Sequence, residues 1–213
     1  MSQDHFIQIE LLSDAAFSRG EGTAGAVDVE VEHDELGLPF LGGKTLRGLL
    51  RDSWLSMEFS GCFPELSLSW GRVFGTEADF GERCIVRIGD ATLDGETRRW
   101  IEAAETRKDS LISPMAVLEA LTVIRRQTSE DRATGAPAKT TLRSLRAVVR
   151  GLELQAPLYW MEKPTPAEIR CLALSCLATR HAGLGRNRGR GHIRLTLDGD
   201  LEKTRHAAKG ERA

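Results

Sequence analysis

The four cysteines, Cys62, Cys84, Cys171 and Cys176, contain no Cys-x-x-Cys pair, which removes the spacing expected of a zinc ribbon or a redox dithiol. Cys171 and Cys176 stand five apart on an expected helix and point in different directions, so buried thiols are the expectation. No apolar run approaches the length needed to cross a bilayer. The opening MSQDHFIQIELLSD lacks the basic and apolar stretches of a secretion signal; a cytoplasmic protein with no membrane partner is expected. There is no excess of charge either, and a net −2 over 213 residues argues against a generic polyanion binder. Gly43-Lys44-Thr45 resembles a nucleotide-binding P-loop but lacks its earlier glycine: Leu38 holds that position, Gly37 is one step too far, and Pro39 interrupts the loop.

What the chain does contain is material for a real core, since 41% hydrophobic and 28% charged residues are the proportions of an ordinary globular domain. The charge is unevenly spread. From Thr122 to Arg150 seven basic residues (Arg125, Arg126, Arg132, Lys139, Arg143, Arg146, Arg150) stand against Glu130 and Asp131, whereas Glu77 to Glu105 holds eight acids against four arginines. A basic stripe on a near-neutral chain can localise a nucleic acid, and the acidic half can meet the basic face of a neighbouring subunit.

The stretch from Gly20 to Arg51 concentrates the chemistry. Val27, Val29 and Val31 alternate with Asp28, Glu30 and Glu32, the period of a strand with its valines inward and its carboxylates outward. After a turn at Asp34-Glu35-Leu36-Gly37, the residues Leu46, Leu49, Leu50, Trp54 and Met57 recur at helical spacing, with Lys44, Arg47 and Arg51 on one face beside them. Gly42 and Gly43 allow close backbone approach, and the unpaired N–H groups of the first turn favour an anion. A carboxylate strand feeding a basic helix points to a phosphodiester partner. The plainer alternative is a solvated strand face followed by a solvated helix face.

Elsewhere, His5 to Leu12 alternates as a first strand, GCFPELSLSWGRVFGTEADFGERC reads as an irregular insertion, and Cys84 to Ile88 reads as a strand. Thr97 to Asp109 is polar and charged. Ser113-Pro114 opens a short helix through Leu121. TVIRRQTSEDRATGAPAKTTLRSLRAVV is too basic, and too interrupted by Gly135 and Pro137, for a core element; it reads as a projecting hairpin or arm. A strand from Gly151 to Trp160 follows, then a helix that opens with the capping box Thr165-Pro166-Ala167-Glu168 and runs towards Gly183. Gly183, Gly185, Gly189 and Gly191 then alternate with Arg186, Arg188 and Arg190 ahead of a last strand, Ile193 to Leu197. Glycines permit close approach there, and arginines supply forked donors for phosphates. The tail from Glu202 is polar, has no periodicity, and is expected to fray.

These motifs resemble the RAMP superfamily, in particular the backbone subunit of type III CRISPR effector complexes. The resemblance rests on Gly25-Ala26-Val27-Asp28, on Pro39 to Arg51 (PFLGGKTLRGLLR), on Phe74-Gly75, on Asp131-Arg132 with Leu142-Arg143, and on the glycine–arginine loop. The family commonly has Pro-Gly-Ser-Ser ahead of Leu-Lys-Gly, whereas Gly42-Gly43-Lys44-Thr45 here precedes Leu46-Arg47-Gly48. Together with the element count, the resemblance implies an α+β fold with an RRM-like (ferredoxin-like) core. The expected plan is one domain over residues 1–201, with insertions at about 60–83 and 122–146, a projecting thumb arm, a Gly-rich loop before the last strand, and a polar tail over 202–213.

The resemblance also implies roles. Asp28 would cleave target RNA, and Gly43, Lys44, Arg47 and Arg51 would hold guide RNA. The arm, with Arg125, Arg126, Asp131, Arg132 and Arg143, would act as a thumb wedged between bases of the guide–target duplex. Gly185, Arg186, Arg188 and Arg190 would contact RNA. A divalent metal ion, magnesium or manganese, would be bound through Asp28, since one carboxylate alone cannot cleave a phosphodiester quickly. The implied partners are a CRISPR guide RNA, a complementary target RNA, copies of the chain itself and other effector subunits. Two other readings are a non-catalytic RNA-binding scaffold of the same superfamily and a guide-processing ribonuclease using His33 or His181 as general base.

Overall fold

The computed structural model describes residues 5–18, 20, 22, 27–75, 84–106, 112–128, 133–136 and 141–210. Gly25, Ala26, Asp131 and Arg132 lie outside the described residues.

The first strand, β1 (Phe6–Leu11), forms as its alternation requires, with Ile7, Ile9 and Leu11 buried. It pairs antiparallel with β5 (Glu153–Trp160), Ile9 opposite Leu154, and with β6 (Ile193–Leu197), Ile9 opposite Leu195. The short β2 (Val86–Ile88) pairs with the far side of β5. The sheet order is therefore β2–β5–β1–β6. Helix α1 (Gly43–Phe59) lies between β1 and β2 in the chain, and α5 (Pro166–Ala178) between β5 and β6. That is the βαββαβ order of a ferredoxin-like core. Leu46, Leu50 and Trp54 of α1 join Leu172 and Cys176 of α5 and the inward residues of the sheet in one buried cluster.

Local chemistry sets the ends of α5. The Glu168 carboxylate accepts from the Thr165 N–H at 2.7 Å, and the Thr165 hydroxyl accepts from the Glu168 N–H at 3.3 Å, a complete capping box. The helix stops at Ala178, short of Gly183, where the Thr179 hydroxyl lies 2.8 Å from both the Ser175 carbonyl and the Ser53 hydroxyl of α1.

Several sequence expectations need correction. Val27 to Val31 joins no named strand: Val29 is bridged to Leu145 and Asp28 sits at a bend, although Val27 and Val31 are buried and Asp28 is exposed as the alternation required. Residues 61–75 are not irregular throughout, because α2 (Ser67–Phe74) buries Val73 and Phe74 and ends at Gly75. A helix over the polar stretch, α3 (Gly95–Glu105), has only Ile101 and Ala104 buried, too thin a stripe to read; its clearer signal is Asp94, which accepts from the Glu96 and Thr97 N–H groups. The tail over 201–209 is helical and not frayed. Residues of α6 (Leu201–Lys209) bury Thr204 and Ala208, and the Thr204 hydroxyl accepts from the Leu197 N–H at 2.8 Å, so small residues replaced the apolar stripe a pattern search needs. Of the cysteines, Cys171 and Cys176 are buried, Cys84 is half-buried and Cys62 is exposed. Burial pushes the Cys171 thiol up to about 12 and the Cys176 thiol up as well. No helix among the described residues is long and apolar enough to cross a membrane.

The basic stretch forms a two-stranded ladder with a buried root. After α4 (Pro114–Leu121), β3 (Thr122–Gln127) pairs antiparallel with β4 (Arg143–Val148), from Thr122 opposite Val148 to Gln127 opposite Arg143. Leu145, Arg146, Ala147 and Val148 are buried, so the second strand is core over half its length. Leu145 and Ala147 pack with Ala16 in a second, smaller cluster.

Candidate nucleic-acid interface

Asp28 is exposed and lies against the root of the hairpin. Its Oδ2 accepts from the Ser144 N–H at 2.6 Å and from the Ser144 hydroxyl at 2.9 Å. The Asp28 N–H in turn donates to the Ser144 carbonyl at 3.1 Å. The Ser144 backbone N–H, then its hydroxyl, and the nearby Arg143 charge hold the Asp28 carboxyl below its usual value, so it is ionised at neutral pH. Two residues on, Glu30 Oε1 accepts from Arg146 Nε at 2.7 Å, an ion pair whose side chains are 14% and 6% exposed. Arg146 Nη1 also donates to the Thr122 hydroxyl at 3.2 Å. Residues 28–30 are thus fastened to β4 from both sides of Val29.

On the hairpin, Arg125 binds Asp14 at 2.6 Å, so its charge is spent within the fold. Burial raises the Asp14 carboxyl, but Arg125 and the Arg150 N–H outweigh it and leave it low. Arg126 and Arg143 are exposed and form no ion pair with another described residue, and Ile124 and Leu142 are exposed apolar side chains beside them.

The start of α1 differs from the expected anion cradle. The Gly43 N–H donates to Asp90 Oδ1 at 2.7 Å, so the fold's own carboxylate caps this turn. A Cβ on Gly43 would meet the Ile88 carbonyl at 2.3 Å; this glycine serves the packing of α1 on β2. Arg47 turns inward, donating to the Phe74 carbonyl at 2.7 Å and to Cys84 Sγ at 3.0 Å, and it pins α2 to the strand region. Lys44 is exposed and Arg51 half-buried.

The glycine–arginine loop is built by close approach. Gly191, at φ +67°, would place a Cβ 2.0 Å from the Ala182 carbonyl, and Gly183 would place one 2.5 Å from that of Ala16. Between the left-handed Gly185 and Gly189 the loop makes one turn, Arg186–Arg188. Arg188 and Arg190 reach the hairpin, donating to Gln127 Oε1 at 3.1 and 3.4 Å. Arg186 lines a groove of about 210 Å³ with Phe17, Glu32, Thr45, Leu49 and Leu184. The loop and α1 therefore face one groove, the helix through Thr45 and Leu49. Beside them, the His181 and His192 rings stack at 5.3 Å. His33 Nδ1 lies 3.1 Å from the Asp34 carbonyl.

A family model described as the RAMP superfamily matches residues 8–194. The chain belongs to the RAMP superfamily. Two solved structures contain chains with this RAMP fold. One is a cryo-EM structure of the Type III-B Cmr-beta bound to cognate target RNA, with a TM-score of 0.63, 11% identity, and coverage of 94% of this chain and 98% of that one. The other is the apo state of Type III-B Cmr-beta, with a TM-score of 0.65, 12% identity, and coverage of 92% and 98%. At such identities the shared property is the fold. No curated protein matches the sequence.

Within this RAMP fold, most of the expected site residues that are described fall into two sets. Asp28, Arg126, Arg143, Arg186, Arg188 and Arg190 lie on the hairpin root, the hairpin and the glycine loop, three elements linked by Ser144 and Gln127. Arg47 and Arg125 are engaged inside the fold, and Gly43 is spent on packing. Ser144, Gln127, Thr45, Leu49 and Asp90 belong to the region without having been legible. Ser144 is 116 residues from Asp28, and no local pattern signals a partner at that separation.

Proposed function

We propose that this chain is a guide-RNA-binding backbone subunit of a type III CRISPR RNA-guided complex in the cytoplasm, and that it cleaves complementary target RNA through Asp28. The observation that carries the reading is an exposed, ionised carboxylate fastened to the root of a basic hairpin in a RAMP fold. The same fold occurs in a Type III-B Cmr-beta complex bound to cognate target RNA. Copies of the chain and other effector subunits would line one guide, with base pairing supplying sequence specificity while the protein grips backbone and shape.

In this reading Arg186, Arg188 and Arg190 grip backbone phosphates. Arg126 and Arg143 follow the RNA along the hairpin, and Ile124 and Leu142 present apolar atoms able to part stacked bases. Asp28 faces the target strand where the hairpin distorts it, which favours in-line attack by a 2′-OH. Magnesium or manganese fits this site through Asp28, because hard divalent ions are commonly held by one or two carboxylates plus substrate phosphates and water. Among the described residues no group of three or more His, Cys, Asp or Glu side chains is placed to hold an ion without the RNA. When bound, the ion supplies charge stabilisation at the phosphoryl oxygens.

The test is a guide-loaded complex given labelled complementary RNA. Asp28→Asn, which keeps an acceptor for Ser144, should abolish cleavage while guide and target binding stay unchanged; wild-type cleavage should stop with EDTA and return with magnesium. A scaffold role is the second reading, favoured by the structural work that Asp28 does in holding Ser144. Full cleavage by Asp28→Asn at normal RNA binding would establish it.

A further inference from the structure

The fold neutralises some of its arginines with carboxylates and holds Arg188 and Arg190 differently. Arg125 is matched by Asp14, Arg146 by Glu30 and Arg194 by Glu10, each within 2.7 Å of a carboxylate oxygen. At the end of β3 the acceptor is an amide instead. Gln127 Oε1 takes a hydrogen bond from Arg188 Nη1 at 3.1 Å and from Arg190 Nη1 at 3.4 Å. Neither arginine forms an ion pair with another described residue. A carboxylate here would make a stronger bond and cancel charge. The amide orients two guanidinium groups and leaves both charges in place.

Two cations drawn onto one neutral oxygen repel each other, and an anion bridging them relieves that repulsion. The left-handed Gly185 and Gly189 bracket the turn that carries Arg188, and Gly191 fixes the exit beyond Arg190. Gln127 is paired across the hairpin with Arg143, one residue from the Ser144 that holds Asp28. The two charges therefore stand one rung along the hairpin from the proposed catalytic carboxylate. We infer that Gln127 is a positioning residue, which sets Arg188 and Arg190 as an unneutralised pair to grip one RNA phosphate. This rests on the reading of the chain as a guide-RNA binder and adds to it a residue whose neutrality is its function.

The charge-swapped isostere separates this role from simple tethering. Gln127→Glu preserves both contacts, turns them into ion pairs, and should leave the thermal midpoint equal or higher. Its affinity for a labelled single-stranded RNA of mixed sequence should nevertheless fall about 5-fold at 0.1 M salt. The slope of log affinity against log salt should lose about 0.7, the counterion equivalent of one phosphate contact on a single strand. Gln127→Ala should keep the wild-type slope and lose about 3-fold in affinity, because the charges remain but are no longer ordered. If Gln127 only tethers the loop, Gln127→Glu binds RNA as well as wild type with an unchanged slope, and the inference is overturned. Should Gln127→Glu misfold by circular dichroism, Gln127→Ala decides: loss of affinity at constant slope supports the role, and no loss removes it. Arg188→Gln is the control. If it weakens binding while both Gln127 variants do not, only the role of Gln127 is lost; if it too binds normally, the guide-binding reading of this loop falls as well.

Discussion

The Glu30–Arg146 pair is the joint on which the position of Asp28 depends, and its energetics can be worked through. Replacing Glu30 by Leu leaves the Arg146 guanidinium, 6% exposed, with only the Thr122 hydroxyl at 3.2 Å. Stranding one member of a buried pair costs about 3–5 kcal/mol, and the 14% exposure of Glu30 favours the low end, about 3 kcal/mol. With a urea m-value of about 3 kcal/mol per M for a chain of this size, the unfolding midpoint should drop by about 1 M. Converting both members, Glu30→Leu with Arg146→Met, removes the buried charges together and should recover most of the loss, to within about 1 kcal/mol of wild type. Urea unfolding at pH 7, followed by fluorescence and circular dichroism, measures all three proteins. A single-variant cost under about 1 kcal/mol would mean the pair behaves like an exposed one. A double variant no more stable than the single would show that the loss came from packing and not from the orphaned charge.

Two further outcomes follow from the same geometry. Asp90→Ala should cost about 1 kcal/mol by uncapping α1 and should not lower RNA affinity; weaker RNA binding at an unchanged fold would refute the assignment of Asp90 as an internal cap. Burial pulls the Asp198 carboxyl up, but Lys203, the Phe6 N–H and His5 outweigh it and hold it low. The folded chain therefore binds fewer protons than the unfolded chain at acid pH, so this contribution is complete above about pH 4 and is lost as pH falls through the lowered value. The stability gap between wild type and Asp198→Asn, read from urea midpoints, should be full at pH 5 and smaller at pH 3; a gap that widened towards acid would reverse the sign of the argument.

Local physics determined much of this protein from its sequence. Period-two alternation placed β1 and β6, helical spacing placed α1, and a capping box set the start of α5, because each depends on residues within a few positions of one another. The motifs in order were also enough to assign the superfamily. The sequence by itself did not show which charges are available. Arg47 and Arg125 look like Arg188 and Arg190 along the chain, yet a carbonyl 27 residues away and a carboxylate 111 residues away take the first two. The other two converge on a neutral amide more than 60 residues away. Helix α6 and the strand-like Asp28 segment were misread for the same reason: a small buried face and an isolated bridge to β4 acquire meaning only from the surface they meet. Alternation said which way the Asp28 side chain points, and only the tertiary structure decided that Ser144 stands there to hold it.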